Sequence, residues 1–554
     1  MSTTSKNSEI QSALEYHEAT KHSEFSVRMG GHRLDWSNKP RAFKIYQSDL
    51  PSIPLPHEFP HPKMNALDAI ASVEAGAGAE NINAKTVAEV LFFCAGLTRE
   101  MRMGDEVYYM RAASATGALF PIELYVVCGD LPGLDAGVYH FGPADFALRQ
   151  LREGDYRGIL SSAAGDNKDI ISAPLTIVFT SLAWRNSWKY EARSYRHWFW
   201  DSGVIAANLL ATGVSDGFVT RLIMGFVDVE VEKLLGLKER QEATIALAPV
   251  GVGLKDFPAE NSVSKSIPPL QLETVSLSPK EDDYPQIWSM NEASSLSTNE
   301  EVKSWNKKLP EVLSNREPEE SSDFGNRNEL VRLDIQDECK DQSLPLSEAI
   351  FWRGSTRRFA RKSISLAKLS QILYSSTRGV PLEILTQSGK MNETGSTLAD
   401  IYLIANAVDG LASGSYFFDR AQKSLEHLKP GNFRNISSYL CLGQPLFGNA
   451  SAVLFLMDDL QSVLKGFGNR GYRAAEFEAG IVAGKLYISS YALKLGASGS
   501  TFYDDAVTEF FSPHASRKST MIAVGIGIPD YKARPGGILV GKLSRAQLLR
   551  DTAE

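Results

Sequence analysis

The first group of residues suited to chemistry is two arginines and a serine at alternate positions in the segment 352–359. Arg353, Ser355 and Arg357 would lie on one side of an extended or helix-entering segment. Two guanidinium groups with a hydroxyl between them suit a phosphate dianion, because they supply charge-assisted hydrogen bonds in bidentate geometry. The same pattern also fits a solvated basic turn before a helix, and the segment alone does not separate the two interpretations.

A second group is the run of small residues between Arg111 and Pro121, just before a strand-like stretch. Alanine, serine, threonine and glycine fill most of this run. Small side chains let backbone N–H groups approach a planar or anionic ligand closely. A plain small-residue loop beneath a sheet is the alternative interpretation.

The third group is the adjacent pair Lys189 and Tyr190. A lysine beside a tyrosine offers a proton acceptor whose pKa can be lowered by neighbouring positive charge and by burial. The alternative is an ordinary helix start with a lysine whose amine reaches the solvent.

The elements that must position these residues occur twice in the chain of 554 residues. Three segments recur at one constant spacing in the sequence, which we call the repeat offset: 133–141 as 410–418, 154–157 as 431–434, and 193–196 as 470–473. A repeat this long is too large for a solenoid and indicates a gene duplication. We therefore expect two domains of one fold, packed as a pseudo-dimer.

The two copies differ where the candidate residues lie. The segment of copy one that corresponds to the arginine cluster, 71–80, contains no basic residue. The segment of copy two that corresponds to the small-residue loop, 391–400, has lost the proline and gained acidic residues. Gly466 and Phe467 stand where copy one has its lysine and tyrosine. A residue that the fold requires should occur in both copies, so these differences favour ligand binding.

Each copy is predicted to alternate strands with one long helix, which indicates an α+β fold. The long helix is predicted over 188–212 in copy one and over 473–495 in copy two, from apolar residues at helical spacing. The arginines within 193–196 and 470–473 occur in both copies. They are therefore predicted to serve the fold or the interface between the copies.

The predicted organisation is an N-terminal segment (1–65), domain 1 (66–255), a linker (256–342), domain 2 (343–535) and a C-terminal tail (536–554). The linker is rich in serine, glutamate, asparagine and lysine, which predicts a partly mobile segment that wraps the surface.

Composition narrows the classes of partner. A net charge of −8 argues against nucleic acid, which favours a basic surface. Four scattered cysteines without a CxxC pair predict neither a disulfide framework nor a zinc site, and no metal is expected. The first residues have no apolar core typical of a signal peptide, and no run of eighteen apolar residues occurs, so we expect a cytoplasmic protein that does not enter a membrane.

Three motifs together resemble the FMN-dependent nitroreductase superfamily, and within it the tandem-domain SagB/ThcOx-type dehydrogenases. They are the Arg-x-Ser-x-Arg of copy two, the Ser-x-x-Gly-Ala-Leu-Phe-Pro-x-Glu-Leu-Tyr of copy one, and Lys-Tyr-x-x-Arg-x-Tyr-Arg. The resemblance implies an antiparallel sheet flanked by helices, with FMN at an interface between two subunits. One subunit supplies an Arg/Ser phosphate clamp and the other a small-residue loop, so the complementary losses imply one FMN per chain, bound between the copies.

The resemblance also assigns roles to individual residues. The implied FMN-binding residues are Arg353, Ser355, Arg357, Arg111, Ala113, Ser114, Ala115, Thr116, Gly117, Gly499, Ser500, Lys532 and Arg534. Lys189 and Tyr190 would be the catalytic pair in the oxidation of an azoline ring of a ribosomal peptide to an azole. A base would remove the proton alpha to the carbonyl, the ring CH2 would give hydride to flavin N5, and oxygen would reoxidise the flavin. Ala113 departs from the family, where a proline is common.

Two other functions stay open from the sequence. One is an NAD(P)H-dependent nitro- or quinone reductase, and the other is a non-catalytic scaffold that binds flavin or a peptide. The implied partners are a peptide or small-molecule substrate and a cyclodehydratase. Association of the pseudo-dimer into a larger homo-oligomer is left open.

Overall fold

The computed structural model describes residues 5–30, 32–72, 82–104, 106–254, 267–307, 329–378, 380–383 and 398–550. The strands are β1 (Ser52–Pro54), β2 (Leu97–Met103), β3 (Glu106–Arg111), β4 (Ile122–Cys128), β5 (Gly137–Gly142), β6 (Ala147–Glu153), β7 (Leu175–Leu182), β8 (Glu242–Val250), β9 (Leu330–Arg332), β10 (Ile364–Ser365), β11 (Asp400–Ala405), β12 (Val408–Asp409), β13 (Gly414–Asp419), β14 (Ser424–Pro430), β15 (Ala452–Asp458), β16 (Gly496–Ser500) and β17 (Ser519–Gly527).

The helices before residue 307 are α1 (Gln11–Ala19), α2 (Glu24–Met29), α3 (Ala66–Ala71), α4 (Ala84–Ala95), α5 (Arg157–Ala163), α6 (Lys168–Ser172), α7 (Ala183–Tyr190), α8 (Ser194–Ser215), α9 (Asp228–Leu235), α10 (Pro285–Ala293) and α11 (Asn299–Asn306). Those after it are α12 (Asp337–Asp341), α13 (Leu346–Trp352), α14 (Leu366–Ser376), α15 (Arg434–Leu440), α16 (Pro445–Asn449), α17 (Leu460–Phe467), α18 (Arg470–Ala492), α19 (Asp504–Phe511) and α20 (Arg545–Arg550).

Each copy contains its own antiparallel sheet. The strand order is β1-β6-β5-β4-β7-β8 in the first sheet and β16-β17-β15-β11-β13-β14-β9 in the second. The edge strand β1 comes from the N-terminal segment, and the edge strand β9 comes from the linker. Strands β5, β6 and β8 recur as β13, β14 and β17, and both ends of each strand are shifted by the repeat offset. The predicted α+β fold, with two tandem domains of antiparallel sheet and flanking helices, is therefore confirmed.

The central strands are buried on both faces. All seven residues of β4 are buried, and it pairs with β5 on one side and with β7 on the other. Among the described helices, none combines the length and the apolar character that a bilayer crossing requires.

The two copies meet along their long helices, α8 and α18. The helices cross at Gly203 and Gly480, which are themselves equivalent positions of the two copies. A Cβ atom on Gly203 would lie 2.6 Å from the backbone of Gly480. Only glycine allows the two backbones to approach this closely. Because the two glycines are equivalent positions, the crossing lies on the internal pseudo-twofold axis.

The shared arginines join the copies reciprocally, as predicted from their presence in both. Arg193 and Arg196 of copy one bind the two carboxylate oxygens of Asp504, at 3.0 and 2.9 Å. Asp228 of copy one binds Arg470 and Arg473 of copy two, at 2.6 and 2.7 Å. All six side chains are buried, so each cluster pairs its charges inside the interface.

Two predictions about helices need correction. The predicted helix 188–212 is broken, because α7 ends at Tyr190 and α8 begins at Ser194. Glu191 lies between them with a φ of 49°, a value that an α-helix cannot contain. The linker was predicted from composition as a surface segment, yet its described part contains α10 and α11, which bury Trp288 and Trp305.

Candidate active site

The arginine cluster of copy two contacts the small-residue loop of copy one. Arg353 follows the last residue of α13, where the backbone leaves the helix. Its Nε donates to the carbonyl of Ala112 at 2.9 Å, and its Nη2 donates to the carbonyl of Arg111 at 2.8 Å. Burial lowers the pKa of Arg353 to about 10, which leaves the guanidinium charged at neutral pH. The side chain therefore ties the start of the cluster to the other copy.

Arg357, the last residue of the cluster, lies near the lysine–tyrosine pair. Burial lowers the pKa of Lys189, and the nearby charge of Arg357 lowers it further. The Nζ of Lys189 lies 5.3 Å from the centre of the Tyr190 ring. An exposed cation of copy two and a half-buried amine of copy one thus stand close together beside an aromatic ring.

Tyr190 in turn lies against the small-residue loop. A Cβ atom on Gly117 would lie 2.7 Å from the hydroxyl oxygen of Tyr190, and Gly117 also has a φ of 64°. Burial is the main cause that raises the pKa of Tyr190; Asp201 raises it further and Arg357 lowers it. The phenol therefore stays protonated at neutral pH and can donate a hydrogen bond.

Asp201 anchors the same loop from the long helix α8. Its Oδ1 accepts hydrogen bonds from the backbone N–H and the hydroxyl of Thr116, both at 2.8 Å. The loop needs an anchor because Ala118 and Phe120 have φ values of 56° and 49°, which L-residues rarely adopt. Burial raises the pKa of Asp201 to about 7, an effect that the bonds from Thr116 oppose.

Asp201 was not selected from the sequence. A charged residue within the apolar run 198–205 of a predicted buried helix was the available signal, since charged groups are rarely buried without a partner.

Ser355 reaches a second element that the sequence assigned to the site. Its hydroxyl lies 3.4 Å from the hydroxyl of Tyr487, which accepts the backbone N–H of Gly499. Ser500 follows on the same strand, and its hydroxyl accepts from Gln444 at 2.9 Å. Tyr487, on α18, therefore connects the cluster to β16, and no motif in the sequence pointed to it.

The segment after β17 that contains Lys532 and Arg534 lies next to the arginine cluster. Asp530 N–H donates to the carbonyl of Arg358 at 2.9 Å, and Gly536 N–H donates to the carbonyl of Phe351 at 2.7 Å. Between these two bonds lie Lys532 and Arg534, both with exposed side chains.

The remaining loop residues divide into two kinds. Arg111 directs its side chain away from Arg353, and its Nη2 donates to the carbonyl of Ala42, in the N-terminal segment, at 2.8 Å. Only its backbone faces Arg353. Ala113, Ser114 and Ala115 line a small cavity together with Asp201 and Arg111.

A second site would pair the copy-one equivalent of the arginine cluster with the copy-two equivalent of the small-residue loop. The residues 73–81 and 391–397, which include most of the two segments predicted to have lost their function, lie outside the described residues. Phe467, the counterpart of Tyr190, has its carbonyl occupied by Trp305 Nε1 at 2.8 Å and by Asn7 Nδ2 at 3.2 Å. The chain's own N-terminal segment and linker therefore cover this helix end.

Comparison with known proteins supplies the family. The model of the Nitroreductase family matches residues 79–252 and 350–528, one match in each copy. A nitroreductase-family protein of Methanocaldococcus jannaschii is 28% identical over 167 residues, which make up 30% of this chain and 79% of that protein. The crystal structure of a nitroreductase-family protein from Anabaena variabilis superposes with a TM-score of 0.73 at 25% identity, over 94% of this chain and 99% of that one. Since the matched residues cover more than half of the chain, the protein belongs to the nitroreductase family of oxidoreductases, with one family domain in each copy.

Proposed function

We propose that the protein is an FMN-dependent dehydrogenase of the SagB/ThcOx type, which oxidises azoline rings of a peptide to azoles in one site between the copies. The observation that carries the proposal is the contact of Arg353 with the carbonyls of Arg111 and Ala112. This contact brings the arginine cluster of copy two and the small-residue loop of copy one together. Each group is present in only one copy, so the chain offers one complete set.

The residues present fit FMN. Its phosphate needs cationic donors, and the exposed side chains of Arg357, Lys532 and Arg534 supply them on adjacent segments. Its planar ring needs a close backbone approach, which the small residues 113–117 permit.

The lysine–tyrosine pair would carry out the proton transfer from the substrate. The lowered pKa of Lys189 increases its neutral fraction near neutral pH, and a neutral amine can accept the proton alpha to the carbonyl. Tyr190, held protonated by burial, can donate a hydrogen bond to the substrate carbonyl and orient the ring. Bound FMN would accept the second hydrogen of the ring as hydride, which balances the two-electron oxidation.

A reductase that uses NAD(P)H is the second candidate. The relatives that share the family domain are named as nitroreductases, which favours this activity. The two candidates differ in the donor that reduces the flavin: a thiazoline peptide in the first and NAD(P)H in the second.

Anaerobic stopped-flow spectroscopy would separate them. We expect a thiazoline-containing peptide to bleach the flavin absorbance faster than NADH or NADPH does. Lys189→Met and Tyr190→Phe should keep the flavin and slow this bleaching by about 100- to 10,000-fold, the usual contribution of a positioned proton acceptor or donor. Phe467→Leu, at the position of Tyr190 in copy two, is the matched control and should keep the wild-type rate. Fast bleaching by NAD(P)H with none by the peptide would establish the reductase instead.

A further inference from the structure

Tyr190 is the last residue of α7, and the backbone turns sharply at Glu191, directly after it. Its side chain is half-buried. The proposed function requires its hydroxyl at a fixed point beside the small-residue loop, because a small displacement of a group that orients the substrate can cost much of the rate. The contacts that hold the Tyr190 ring therefore bear directly on the proposed reaction.

His197, on the long helix α8, contacts the ring of Tyr190. The centres of the two rings lie 4.6 Å apart, and their planes stand at 87°, which is an edge-to-face contact. The imidazole is buried, and its centre also lies 4.7 Å from the ring of Trp200, one turn further along α8. Tyr190 thus packs against an aromatic group of a helix that belongs to the interface between the copies.

Asn186 fixes the orientation of the imidazole. It lies one turn before Tyr190 on α7 and is fully buried. Its Oδ1 lies 2.7 Å from Nδ1 of His197, and because an amide oxygen only accepts, Nδ1 carries the proton and donates it. Burial is the main cause that lowers the pKa of His197 well below its usual range, and the charge of Arg193 lowers it further. The imidazole is therefore neutral and held in one tautomer.

The other copy provides an internal comparison. The repeat offset pairs Asn186 with Val463 and His197 with Ala474, both buried and both apolar. Phe467 stands at the position of the tyrosine. The copy that lacks the phenol hydroxyl therefore also lacks the histidine and its hydrogen-bond partner. A polar pair that the fold requires should occur in both copies, so its presence only beside the lysine–tyrosine pair favours a role in the candidate site.

We propose that His197 is a positioning residue for Tyr190 and that Asn186 locks the imidazole in place for this task. The inference rests on the proposed function, in which the Tyr190 hydroxyl donates a hydrogen bond to the substrate carbonyl. His197 and Asn186 do not touch the substrate. They act through the phenol ring, which would otherwise be free to turn into the space that the imidazole fills.

A double-mutant cycle tests this role in the full-length, FMN-loaded protein. His197→Ala introduces the side chain that copy two has at the equivalent position. We expect it to keep the flavin and to slow flavin reduction by saturating thiazoline peptide by about ten- to a hundredfold. In a Tyr190→Phe background the same substitution should change the rate by less than about twofold, because the hydroxyl that His197 positions is already absent.

Two further variants separate positioning from general stability. Asn186→Val breaks only the hydrogen bond to the imidazole, so it should slow flavin reduction less than His197→Ala does, and again only when the Tyr190 hydroxyl is present. Trp198→Phe is the control: its ring packs on Tyr195, on the same helix, and its loss should lower the melting temperature without slowing flavin reduction.

Fluorine NMR of flavin-depleted protein labelled with fluorotyrosine gives a readout that is independent of activity. The resonance missing from Tyr190→Phe belongs to Tyr190. We expect this resonance to shift in His197→Ala and to keep its position in Trp198→Phe.

The outcomes distinguish the inference from the proposed function. Equal slowing by His197→Ala in both backgrounds, or a wild-type rate in His197→Ala alone, would overturn the inference and leave the proposed function intact. A wild-type rate in Tyr190→Phe alone would overturn the proposed function and the inference together. Should His197→Ala not accumulate as folded protein, the same cycle with Asn186→Val decides.

Discussion

At the scale of single residues, Glu191 and Gly468 adopt the same unusual turn with different side chains. They are equivalent positions of the two copies, and each follows the last residue of a short helix, with φ values of 49° and 70°. Gly468 suits the turn, and a Cβ atom there would lie 2.2 Å from the carbonyl oxygen of Asn7. Glu191 adopts a strained conformation directly after the lysine–tyrosine pair, and backbone strain of this kind is often found at functional sites.

Replacing Glu191 by glycine should therefore stabilise the protein. Relief of the strained backbone is worth about 1–3 kcal/mol, and the added freedom of the unfolded chain offsets up to about 1 kcal/mol of it. We expect the free energy of unfolding in urea to rise by about 1 kcal/mol. Gly468→Ala should lower it, because the new side chain meets Asn7. A less stable Glu191→Gly variant would show that the Glu191 carboxylate, 3.9 Å from His32, contributes more than the strain removes.

Arg357 and its neighbour Arg358 form a matched pair for testing the phosphate clamp. Both are exposed, but Arg357 acts on Lys189 and Tyr190, whereas Arg358 donates to the carbonyl of Asp530 at 3.4 Å. Loss of a charge-assisted hydrogen bond costs about 1.5–3 kcal/mol, so Arg357→Ala should weaken FMN binding by about ten- to a hundredfold. Arg358→Ala should bind FMN as the wild type does in a fluorescence titration. Equal affinities of the two variants for FMN would show that Arg357 is not part of the phosphate clamp.

At the scale of elements, the crossing of α8 and α18 depends on two glycines. A Cβ atom on Gly480 would lie 2.8 Å from the backbone of Phe199 and Trp200, and one on Gly203 would meet Gly480 at 2.6 Å. These neighbours are helix backbone and cannot move aside as a flexible side chain can. The helices must therefore separate to admit even one methyl group.

Gly203→Ala should consequently destabilise the protein by about 1–3 kcal/mol, the usual effect of forcing extra atoms into a packed interior. It should also loosen the candidate site, because α8 carries Asp201. Thermal unfolding followed by tryptophan fluorescence measures the first effect, and FMN retention measures the second. Gly537→Ala is the control, since nothing lies within 4 Å of a Cβ atom there. Equal melting temperatures for the two variants would show that the crossing tolerates separation.

At the scale of the whole molecule, the reciprocal arginine–aspartate clusters hold the copies in one arrangement. The positive charges of Arg193 and Arg196 hold the pKa of Asp504 well below its usual range despite burial. The unfolded state therefore binds more protons than the folded state near pH 4. The stability that this carboxylate contributes is complete above that pH and is lost as the pH falls.

Asp504→Asn should destabilise the protein by about 3–5 kcal/mol at pH 7, because two buried guanidinium groups lose their anion. The difference from wild type should shrink below about pH 4, where the native carboxylate begins to lose its advantage over the unfolded one. Urea unfolding at pH 7 and at pH 3 measures both quantities. Asp505→Asn is the adjacent control: its side chain is 80% exposed and pairs with Lys21, so its effect should stay below about 1 kcal/mol. A pH-independent difference for Asp504→Asn would contradict the linkage.

The same arrangement predicts how much flavin the molecule holds. The candidate groups form one complete set, and the described part of the opposite helix end is covered by Asn7 and Trp305. We therefore expect about one FMN per chain. Extraction of the flavin by acid, followed by chromatography against a protein concentration from amino-acid analysis, gives the count. Two FMN per chain would contradict the single site.

Much of the fold could be predicted because the relevant signals are local. The strand-like stretch after Pro121 forms β4, and the duplication that three short segments indicate extends to whole strands. Alternating or continuous apolar residues between turns determine such strands with little help from distant parts of the chain. The break at Glu191 could not be predicted because the run 188–212 contains no proline, and its one glycine, Gly203, lies well inside α8 rather than at the break.

The sequence by itself determined that the chain is a tandem duplication, that its two copies have diverged in complementary places, and which cations, small residues and proton-transfer groups differ between them. A repeat, and the residues that one of its copies has lost, can be identified from the order of residues alone. Only the tertiary structure decided that Arg353 contacts the loop of the other copy, that Asp201 anchors the loop, and that Tyr487 joins Ser355 to Gly499. The contact of Arg353 joins the two copies across the interface that contains α8 and α18, and the other contacts join separate elements within one copy. The packing of such elements against one another leaves no local pattern in the sequence.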